Sequence, residues 1–266
     1  MSMSGTQTVE RAVLLLRLLA SGNHSRTLRL TDLANDARVK PPTAHRLLRC
    51  LIREGLVVQD EHSRRYALGP LAFELGLAAL PRSNLSGKCE QALERLAAFT
   101  EDVVFLSVRS GFDSLCIHRV VGPYPIKPLT ADVGTRRPLG VGAGGLALLS
   151  SLSEEECSAV LLANQSCLWN YQQLTVGALR EAVRQTRVLG YALNERYALP
   201  GTIAVGMAVK NGAGTVVGAI SVGAIASRMP PVRRREIVAA MQKEIDLLSR
   251  ALPTSEPPAS LRSTPT

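Results

Sequence analysis

The segment from Pro41 to Arg53 constrains the fold of this chain more than any other stretch. Its apolar residues recur at the spacing of one helical face, namely Ala44, Leu47, Leu48, Leu51 and Ile52. Arg46, Arg49 and Arg53 fall on the opposite side. Two prolines open the segment, and proline suits the first turn of a helix because its fixed φ and missing N–H cost little there. The pattern predicts a helix that packs with one face and presents guanidinium groups with the other.

The elements on either side of this helix predict a winged helix–turn–helix. A first helix is expected from Thr8, before a loop at 21–25, with the apolar positions Val9, Val13, Leu16 and Leu19. A second is expected from Thr31, whose hydroxyl can cap it, with buried positions Leu33, Ala34 and Ala37. After Gly55, the runs 56–58 and 64–68 predict a two-stranded ribbon with a basic return strand.

The charge of the chain points to a polyanionic partner. The 266 residues carry 31 Lys+Arg against 22 Asp+Glu, a formal net charge of +9. The first 68 residues hold eleven of the basic and six of the acidic residues, which is about half of the excess in a quarter of the chain. Such a distribution is typical of proteins that bind nucleic acid or anionic lipid.

The sequence predicts no targeting segment and no cysteine pattern of a disulfide or zinc site. The apolar run 12–16 is cut by Arg17 and lacks a small-residue cleavage site. It therefore predicts neither a signal peptide nor a membrane span, and we expect a cytoplasmic protein. The five cysteines are widely spaced without a CxxC pair, which argues against a disulfide framework and a structural zinc site.

The length suits two domains. Residues 7–68 form the predicted winged helix–turn–helix domain. The stretch 71–80 is almost wholly apolar, so we expect residues 69–84 to form a linker helix that is buried by dimerisation. Residues 85–252 form the predicted second domain. The tail 253–266 is rich in Pro, Ser and Thr and is expected to be disordered.

The second domain mixes strands and helices. A helix from Leu85 leads into a predicted hairpin over 103–121, and a glycine-rich start at 140–145 precedes another helix. After an amphipathic helix at 175–189, strands at 203–209 and 216–222 are joined by a tight turn, and a helix at 231–252 closes the domain. This order predicts an α+β fold with an antiparallel sheet and flanking helices.

Blocks of sequence in both halves resemble one known family. The blocks are Thr43-Ala44-His45-Arg46-Leu47-Leu48, Glu54-Gly55-Leu56-Val57, Tyr66-Ala67-Leu68-Gly69, Arg137-Pro138-Leu139, Gly190-Tyr191-Ala192, Pro200-Gly201 and Ile220-Ser221-Val222. Over residues 7–252 the chain resembles the IclR-type transcriptional regulators of bacteria. The resemblance implies a GAF-like effector-binding second domain, and a homodimer or homotetramer on a palindromic double-stranded DNA operator.

The candidate DNA-contacting residues lie at the third helix and the ribbon. They are Lys40, Thr43, His45, Arg46, Arg49, Arg64 and Arg65. In the major groove, Arg can form two hydrogen bonds with guanine, and Thr can contact phosphate or a thymine methyl group. The ribbon arginines suit phosphate or the minor groove. The alternative for the helix residues is a solvated helix face without a ligand, and the alternative for the ribbon arginines is a pair of surface cations. The sequence leaves open which helix residues contact bases and which contact phosphates.

The candidate effector-binding residues follow from the resemblance and from the glycine-rich helix start. They are Gly142, Ala143, Gly144, Asn194, Ala204 and Ser221. By resemblance, Asn194 sits where an Asp is common and Ala204 where a Cys occurs. Glycines at a helix start leave backbone N–H groups accessible, and the helix dipole favours an anion there. We therefore expect a small organic acid as effector, with tight packing of helix on sheet as the alternative.

The same glycines spell GxGxxG, a pattern found in dinucleotide sites. Residues 135–138 before them are not a hydrophobic strand, and no acidic residue follows at the required distance of about 20 residues. We therefore predict no nucleotide cofactor.

Other polar and aromatic residues carry weaker predictions. Cys116 and His118 alternate along one predicted strand, so we expect them on one face. Arg119, Arg136 and Arg137 offer charge to an anionic ligand, although we expect the last two at the solvated surface. Trp169 and Tyr171 are expected to pack a loop against the sheet, with a pocket lid as the alternative.

Two alternatives to a DNA-binding regulator stay open. One is a small-molecule enzyme in which residues 85–252 catalyse and the basic N-terminus only associates with nucleic acid. The other is a metal- or redox-responsive regulator that uses Cys89, Cys116 and His118. We favour core or pocket-lining roles for these side chains and predict no bound metal.

Overall fold

The computed structural model describes residues 4–20, 27–79, 85–128, 130–195 and 200–252. The chain divides into two compact units, Met1–Pro81 and Arg82–Thr266. None of the helices in these ranges has the length and apolar character that a bilayer span requires. The predicted loop at 21–25, the end of the predicted linker at 80–84 and the predicted disordered tail at 253–266 lie outside the described residues.

The first unit is a winged helix–turn–helix, as predicted. Its elements in chain order are α1 (Ser4–Ala20), α2 (Leu30–Asp36), α3 (Pro41–Arg53), β1 (Val57–Gln59), β2 (Tyr66–Leu68) and α4 (Pro70–Ala79). The strands β1 and β2 are antiparallel, with Val57 opposite Leu68. One apolar core, which includes Leu15, Leu33 and Leu48, joins the three helices to the ribbon.

Helix α3 has the two faces that the sequence predicts. Ala44 and Leu48 are fully buried and Leu47 and Leu51 nearly so, because this stripe packs against α1 and α2. The helix begins at Pro41, and the extended backbone of Lys40 precedes it. The arginine side is exposed.

The first two helices begin elsewhere than predicted. Helix α1 begins at Ser4, not Thr8, and it buries Leu15 and Leu19 while Val9 is 63% exposed. Residues 12–16 are apolar all round the helix, so their spacing alone does not decide which side packs.

Helix α2 begins at Leu30, and the side chain of Thr31 does not cap it. Instead, the Thr31 hydroxyl donates to the neighbouring Asp32 carboxylate at 3.4 Å. The start of α2 is set by a backbone bridge, in which Leu28 and Tyr66 exchange hydrogen bonds of 2.9 and 2.8 Å. The predicted burial of Leu33, Ala34 and Ala37 is correct.

The second unit is an α+β fold, as predicted. Its elements are α5 (Leu85–Thr100), β3 (Val103–Ser110), β4 (Asp113–Val121), β5 (Arg136–Pro138), α6 (Gly142–Ser150), α7 (Glu154–Leu168), α8 (Val176–Leu189), β6 (Ala192–Asn194), β7 (Thr202–Lys210), β8 (Val216–Ile225) and α9 (Pro231–Ala251). Among the described residues, the strands form one antiparallel sheet in the order β5-β4-β3-β8-β7-β6.

Helices cover both faces of this sheet. One apolar core places α5 and α9 against alternate residues of β3, β7 and β8, such as Leu106, Val205 and Ile220. A second core joins α6, α7 and α8 on the opposite face. Because side chains alternate along a strand, Phe105, Ser107 and Ser221 face the α6 side. The candidate ligand residues therefore lie between the sheet and α6.

The sequence did not predict three elements of this unit, namely β5, β6 and α7. The strands β5 and β6 have only three residues each, and β5 contains two arginines at the sheet edge. Helix α7 has a capping signal that would have revealed it: the Ser153 hydroxyl accepts a hydrogen bond from the Glu156 amide at 3.2 Å, and three glutamates fill the first turn. Helix α6 begins inside the glycine run, at Gly142, rather than after it.

Candidate functional site

The first candidate surface is the exposed side of α3. His45, Arg46 and Arg49 are exposed there, and Thr43 in the first turn is half-buried. Within the described ranges, Arg46 and Arg49 make no ion pair, whereas Arg53 is paired with Glu54 at 3.1 Å. The two unpaired guanidinium groups therefore keep all their donors for an outside partner.

The ribbon adds a second basic element with two different arginines. The turn is fixed by Asp60, whose carboxylate accepts hydrogen bonds of 2.7 Å from the Ser63 amide and hydroxyl, which lower the pKa of that carboxyl group. Arg64 follows at φ +56° and is exposed. Arg65 is half-buried and donates to the Thr27 carbonyl at 3.3 Å. Arg64 is thus available at the tip, while Arg65 also stabilises the first unit.

Exposed apolar side chains mark α4 and one side of α1. Phe73 is 69% exposed and Leu75 is 53% exposed, and Val9 and Val13 are exposed on α1. The apolar sequence of α4 predicts that this helix is buried, but its own unit leaves Phe73 and Leu75 exposed. Burial of this helix by dimerisation stays a prediction.

The second candidate site is a cavity of about 60 Å³ between the sheet and the start of α6. A water molecule needs about 10–15 Å³ of such space, so the cavity suits a molecule of few heavy atoms. All six candidate effector residues line it: Gly142, Ala143, Gly144, Asn194, Ala204 and Ser221. Lining residues that the sequence analysis did not select as effector-binding include Phe105, Ser107, Ser114, Cys116, Thr130, Arg137 and Ile203.

The glycines at the start of α6 divide into two roles. Gly142 has φ +78°, which favours glycine, and a Cβ on Gly144 would lie 3.3 Å from Ser221 Oγ and 3.4 Å from Ser107 Oγ. These two positions face the cavity. In contrast, a Cβ on Gly140 would meet Leu149 at 2.9 Å. Gly142 and Gly144 therefore leave the backbone accessible from the cavity, whereas Gly140 allows tight packing against Leu149.

The close approach of α6 to the sheet depends on a residue that the sequence analysis missed. A Cβ on Gly206 of β7 would lie 2.4 Å from the Ala143 carbonyl oxygen, so only glycine lets the first turn of α6 rest on β7. Val141 precedes the helix and offers no side-chain cap. The first-turn N–H groups thus lack a capping side chain and lie beside the cavity.

Serine hydroxyls surround this helix start. Ser221 is 7% exposed, and within the described part of the chain its hydroxyl makes no hydrogen bond. Ser114 donates to the Arg137 carbonyl at 3.4 Å. The Ser221 hydroxyl is therefore available to donate a hydrogen bond to a polar guest in the cavity.

Arg137 also belongs to this cavity, which corrects the expectation that it lies at the solvated surface. Its side chain is half-buried and donates to the Thr130 carbonyl oxygen. A Cβ on Gly142 would lie 3.9 Å from Arg137 Nη1. Burial lowers the pKa of the guanidinium group from its ordinary value. The cavity therefore has a positive charge next to a helix N-terminus.

The two neighbouring arginines are engaged elsewhere. Arg136 is likewise not solvated, since it donates to the Ser110 carbonyl at 3.2 Å and hydroxyl at 3.1 Å and pairs with Asp113 at 3.2 Å. Arg119 donates to the Ala131 carbonyl at 3.2 Å and to Asp132.

The expectation that Cys116 and His118 share a face is wrong. Cys116 is opposite Ser107 on β3 and His118 is opposite Leu106, because Ile117 forms a bulge between them. Cys116 therefore lines the cavity, where burial raises the pKa of its thiol to about 11. His118 joins the Ser86 hydroxyl of α5 by a hydrogen bond of 2.9 Å.

Because Cys116 and His118 lie on opposite faces, they do not form the shared site that the metal- or redox-responsive alternative requires. Cys116 and His118 cannot ligate one ion from opposite faces, and the described residues hold no group of three potential metal ligands. Burial also raises the pKa of the Cys89 thiol to about 11, which disfavours the thiolate form that ligation and redox chemistry need.

The two aromatic residues behave differently from each other. Trp169 is 62% exposed, so the expectation that it packs against the sheet is wrong. Tyr171 is half-buried beside the α6–α8 core, and burial raises the pKa of its hydroxyl.

Family models match both units of the chain. The IclR helix–turn–helix domain matches residues 8–61, and the C-terminal domain of the bacterial transcriptional regulator IclR matches residues 77–250. The glycerol operon regulatory protein of Streptomyces griseus is 30% identical over 248 residues, which are 92% of this chain and 96% of that protein.

Solved structures have the same fold. An IclR transcriptional regulator from Alicyclobacillus acidocaldarius is 26% identical, with a TM-score of 0.73, and the match covers 91% of this chain and 97% of that one. An IclR homologue from Microbacterium hydrocarbonoxydans in complex with 4-hydroxybenzoate is 21% identical, with a TM-score of 0.69. That match covers 92% of this chain and 99% of the homologue.

Proposed function

Since the chain belongs to the IclR family of bacterial transcriptional regulators, we propose that a small organic acid in the α6 cavity controls its binding to a palindromic operator. It is a transcriptional regulator with a helix–turn–helix DNA-binding domain, not an enzyme. A protein that acts on chromosomal DNA works in the cytoplasm, and we assign it there.

The DNA-reading surface in this proposal is the exposed side of α3 with the ribbon. Thr43, His45, Arg46 and Arg49 enter the major groove. Lys40 at the helix start and Arg64 and Arg65 on the ribbon hold phosphates or the minor groove. The support is that Arg46 and Arg49 are exposed and unpaired among the described residues, so their donors are free for base edges and phosphates.

The operator is palindromic because the regulator binds it as a homodimer, or as a homotetramer made of two such dimers. Phe73 and Leu75 on α4, with Val9 and Val13 on α1, form an exposed apolar set within the first unit. Exposed apolar surface of this kind favours association. Two copies related by a twofold axis then present two recognition helices to two half-sites.

The observation that carries the effector part is the cavity at the uncapped start of α6. Gly142, Ala143 and Gly144 bring backbone N–H groups to it, and the Ser221 hydroxyl, which makes no hydrogen bond within the described part of the chain, lines it as well. Asn194 and Ala204 line the same cavity. A helix N-terminus favours negative charge, so a carboxylate suits this end of the cavity.

The acid controls DNA binding by differential affinity. A ligand that binds one arrangement of the dimer more tightly than another shifts the populations of DNA-competent and incompetent protein. An affinity ratio of about a hundred, which corresponds to about 3 kcal/mol, is enough for a large response.

The test measures binding of the full chain to a labelled duplex from the region upstream of its own gene, by fluorescence anisotropy. A shuffled duplex of equal length is the control. We expect tighter binding to the upstream duplex at moderate salt, and a change in affinity when 4-hydroxybenzoate or another small acid is added. Equal binding to both duplexes overturns the operator part. No response to any acid in a broad panel overturns the effector part.

A further inference from the structure

We infer that Arg137 pairs with the carboxylate of the effector and makes the cavity select an acid over its neutral amide. The inference rests on the proposed effector function and deepens it, because it names the charged group that decides the ligand class. It concerns one side chain of this chain, at the edge strand β5.

The cavity is lined by both polar and apolar groups. Beside the start of α6, a Cβ on Gly142 would lie 3.9 Å from Arg137 Nη1, and a Cβ on Gly144 would lie 3.3 Å from Ser221 Oγ. Phe105 lies opposite Ser221 on the neighbouring strand, and a Cβ on Gly223 would lie 3.7 Å from its ring. This lining suits a ligand with one anionic group and a small apolar body.

The charge of Arg137 is not balanced within the described ranges. Among the described residues that line the cavity, none is an Asp or Glu, and the guanidinium group donates to the neutral Thr130 carbonyl. A half-buried cation without an opposite charge raises the free energy of the folded protein. A bound carboxylate removes this cost and can accept two hydrogen bonds from one guanidinium group.

Arg136 is the natural comparison for Arg137 because the two residues are adjacent on β5. Successive side chains on a strand point to opposite faces. The Arg136 guanidinium group already pairs with Asp113 at 3.2 Å and with Ser110, outside the cavity. An effect that depends on general loss of positive charge should appear with either residue, whereas an effect on the ligand should appear only with Arg137.

The test compares acids with their amides on the full-length protein. The probes are propionate, benzoate and 4-hydroxybenzoate, each paired with propionamide, benzamide or 4-hydroxybenzamide, at constant ionic strength. Binding is measured by isothermal titration and by the shift in melting temperature. The variants are Arg137→Met, Arg137→Lys and Arg136→Met, and Ala204→Leu serves to fill the cavity.

We expect at least one acid to bind the wild type at least tenfold more tightly than its amide. Arg137→Met should abolish this preference while the amide affinity stays within about twofold, and Arg137→Lys should keep part of it, since Lys keeps the charge but not the planar fork. Arg136→Met should keep the full preference. Without ligand, Arg137→Met should melt no lower than the wild type, because the buried charge is gone.

The outcomes separate this inference from the proposed function. If acids and amides bind the wild type equally, or if Arg137→Met keeps the acid preference, the inference is overturned, while loss of all binding in Ala204→Leu still supports a ligand cavity. If no acid of the broad panel used for the proposed function binds the wild type, both proposals are overturned. An acid that only that panel identifies is compared with its amide on the same variants.

Discussion

Cys116 and His118 lie on opposite faces of the central sheet although only one residue separates them. Cys116 lines the cavity beside α6, and His118 bonds the Ser86 hydroxyl of α5 at 2.9 Å. Substitutions at the two positions should therefore affect different properties of the protein.

His118→Ala should lower the free energy of unfolding by about 1 kcal/mol, because it removes a half-buried hydrogen bond. Effector affinity should not change. Cys116→Leu should have the opposite profile, with weaker effector binding. Urea unfolding and isothermal titration with the same acid measure the two properties. Loss of effector binding in His118→Ala would contradict the separation of the two faces.

Arg46→Ala should weaken operator binding by about tenfold or more, since one good contact to a base edge contributes about 1–3 kcal/mol of discrimination. Arg53→Ala is the matched control on the same helix. Arg53 is already paired with Glu54, so its loss should change the affinity far less. Anisotropy with the upstream and shuffled duplexes gives both values. An equal effect of the two substitutions would argue against α3 as the base-reading element.

Arg64→Ala should weaken binding to upstream and shuffled duplexes by a similar factor, because a phosphate contact carries no sequence information. The slope of log affinity against log salt should fall by about one unit per lost contact in each half-site. The measurement is a salt titration between 50 and 300 mM, over which the Debye length falls to less than about half of its initial value. An unchanged slope would remove Arg64 from the DNA interface.

Gly144→Val should abolish the effector response while operator binding persists. A Cβ at this position already approaches Ser221 Oγ and Ser107 Oγ, so the added methyl groups enter the cavity. Gly177→Val in α8 is the control, because a Cβ there meets only Thr175 Oγ1, at 4.0 Å. Titration of the acid against each variant bound to operator measures the response. Wild-type effector affinity in Gly144→Val would refute the assignment of the cavity.

Cysteine labelling should depend on pH in a defined direction. Burial raises the pKa of Cys116 and Cys89 to about 11, so at pH 8 only about one thiol in a thousand is ionised at each site. Iodoacetamide should therefore modify the exposed Cys50 first. Labelling of Cys116 should rise about tenfold per pH unit until pH 11. Peptide mass spectrometry identifies the sites, and rapid labelling of Cys116 at pH 8 would contradict its burial.

The sequence predicted best where one face of an element differs sharply from the other. Helix α3 has a continuous apolar stripe opposite its arginines, so its limits and its exposed side both followed from spacing. In α1 the apolar residues surround the helix, and the buried pair Leu15 and Leu19 depends on where α2 and α3 pack. The spacing of apolar residues in α1 therefore does not identify which of them are buried.

In the second unit, the sequence predicted backbone positions of the cavity better than its charge. The glycine-rich start of α6 is visible in the sequence, but the bulge at Ile117 is not, because it depends on how β4 pairs with β3. The sequence favours the surface for Arg137 because arginine is seldom buried. Its place in the cavity depends on the three-residue edge strand β5, which is too short to recognise by alternation.

The backbone bridge between Leu28 and Tyr66 fixes the position of the ribbon relative to the start of α2. It fastens the approach to α2 onto the return strand of the ribbon, so the ribbon cannot swing independently of the helices. A duplex whose neighbouring grooves are spaced differently has to bend or twist to fit, and the elastic cost of that distortion then contributes to target choice at base pairs that no side chain reaches.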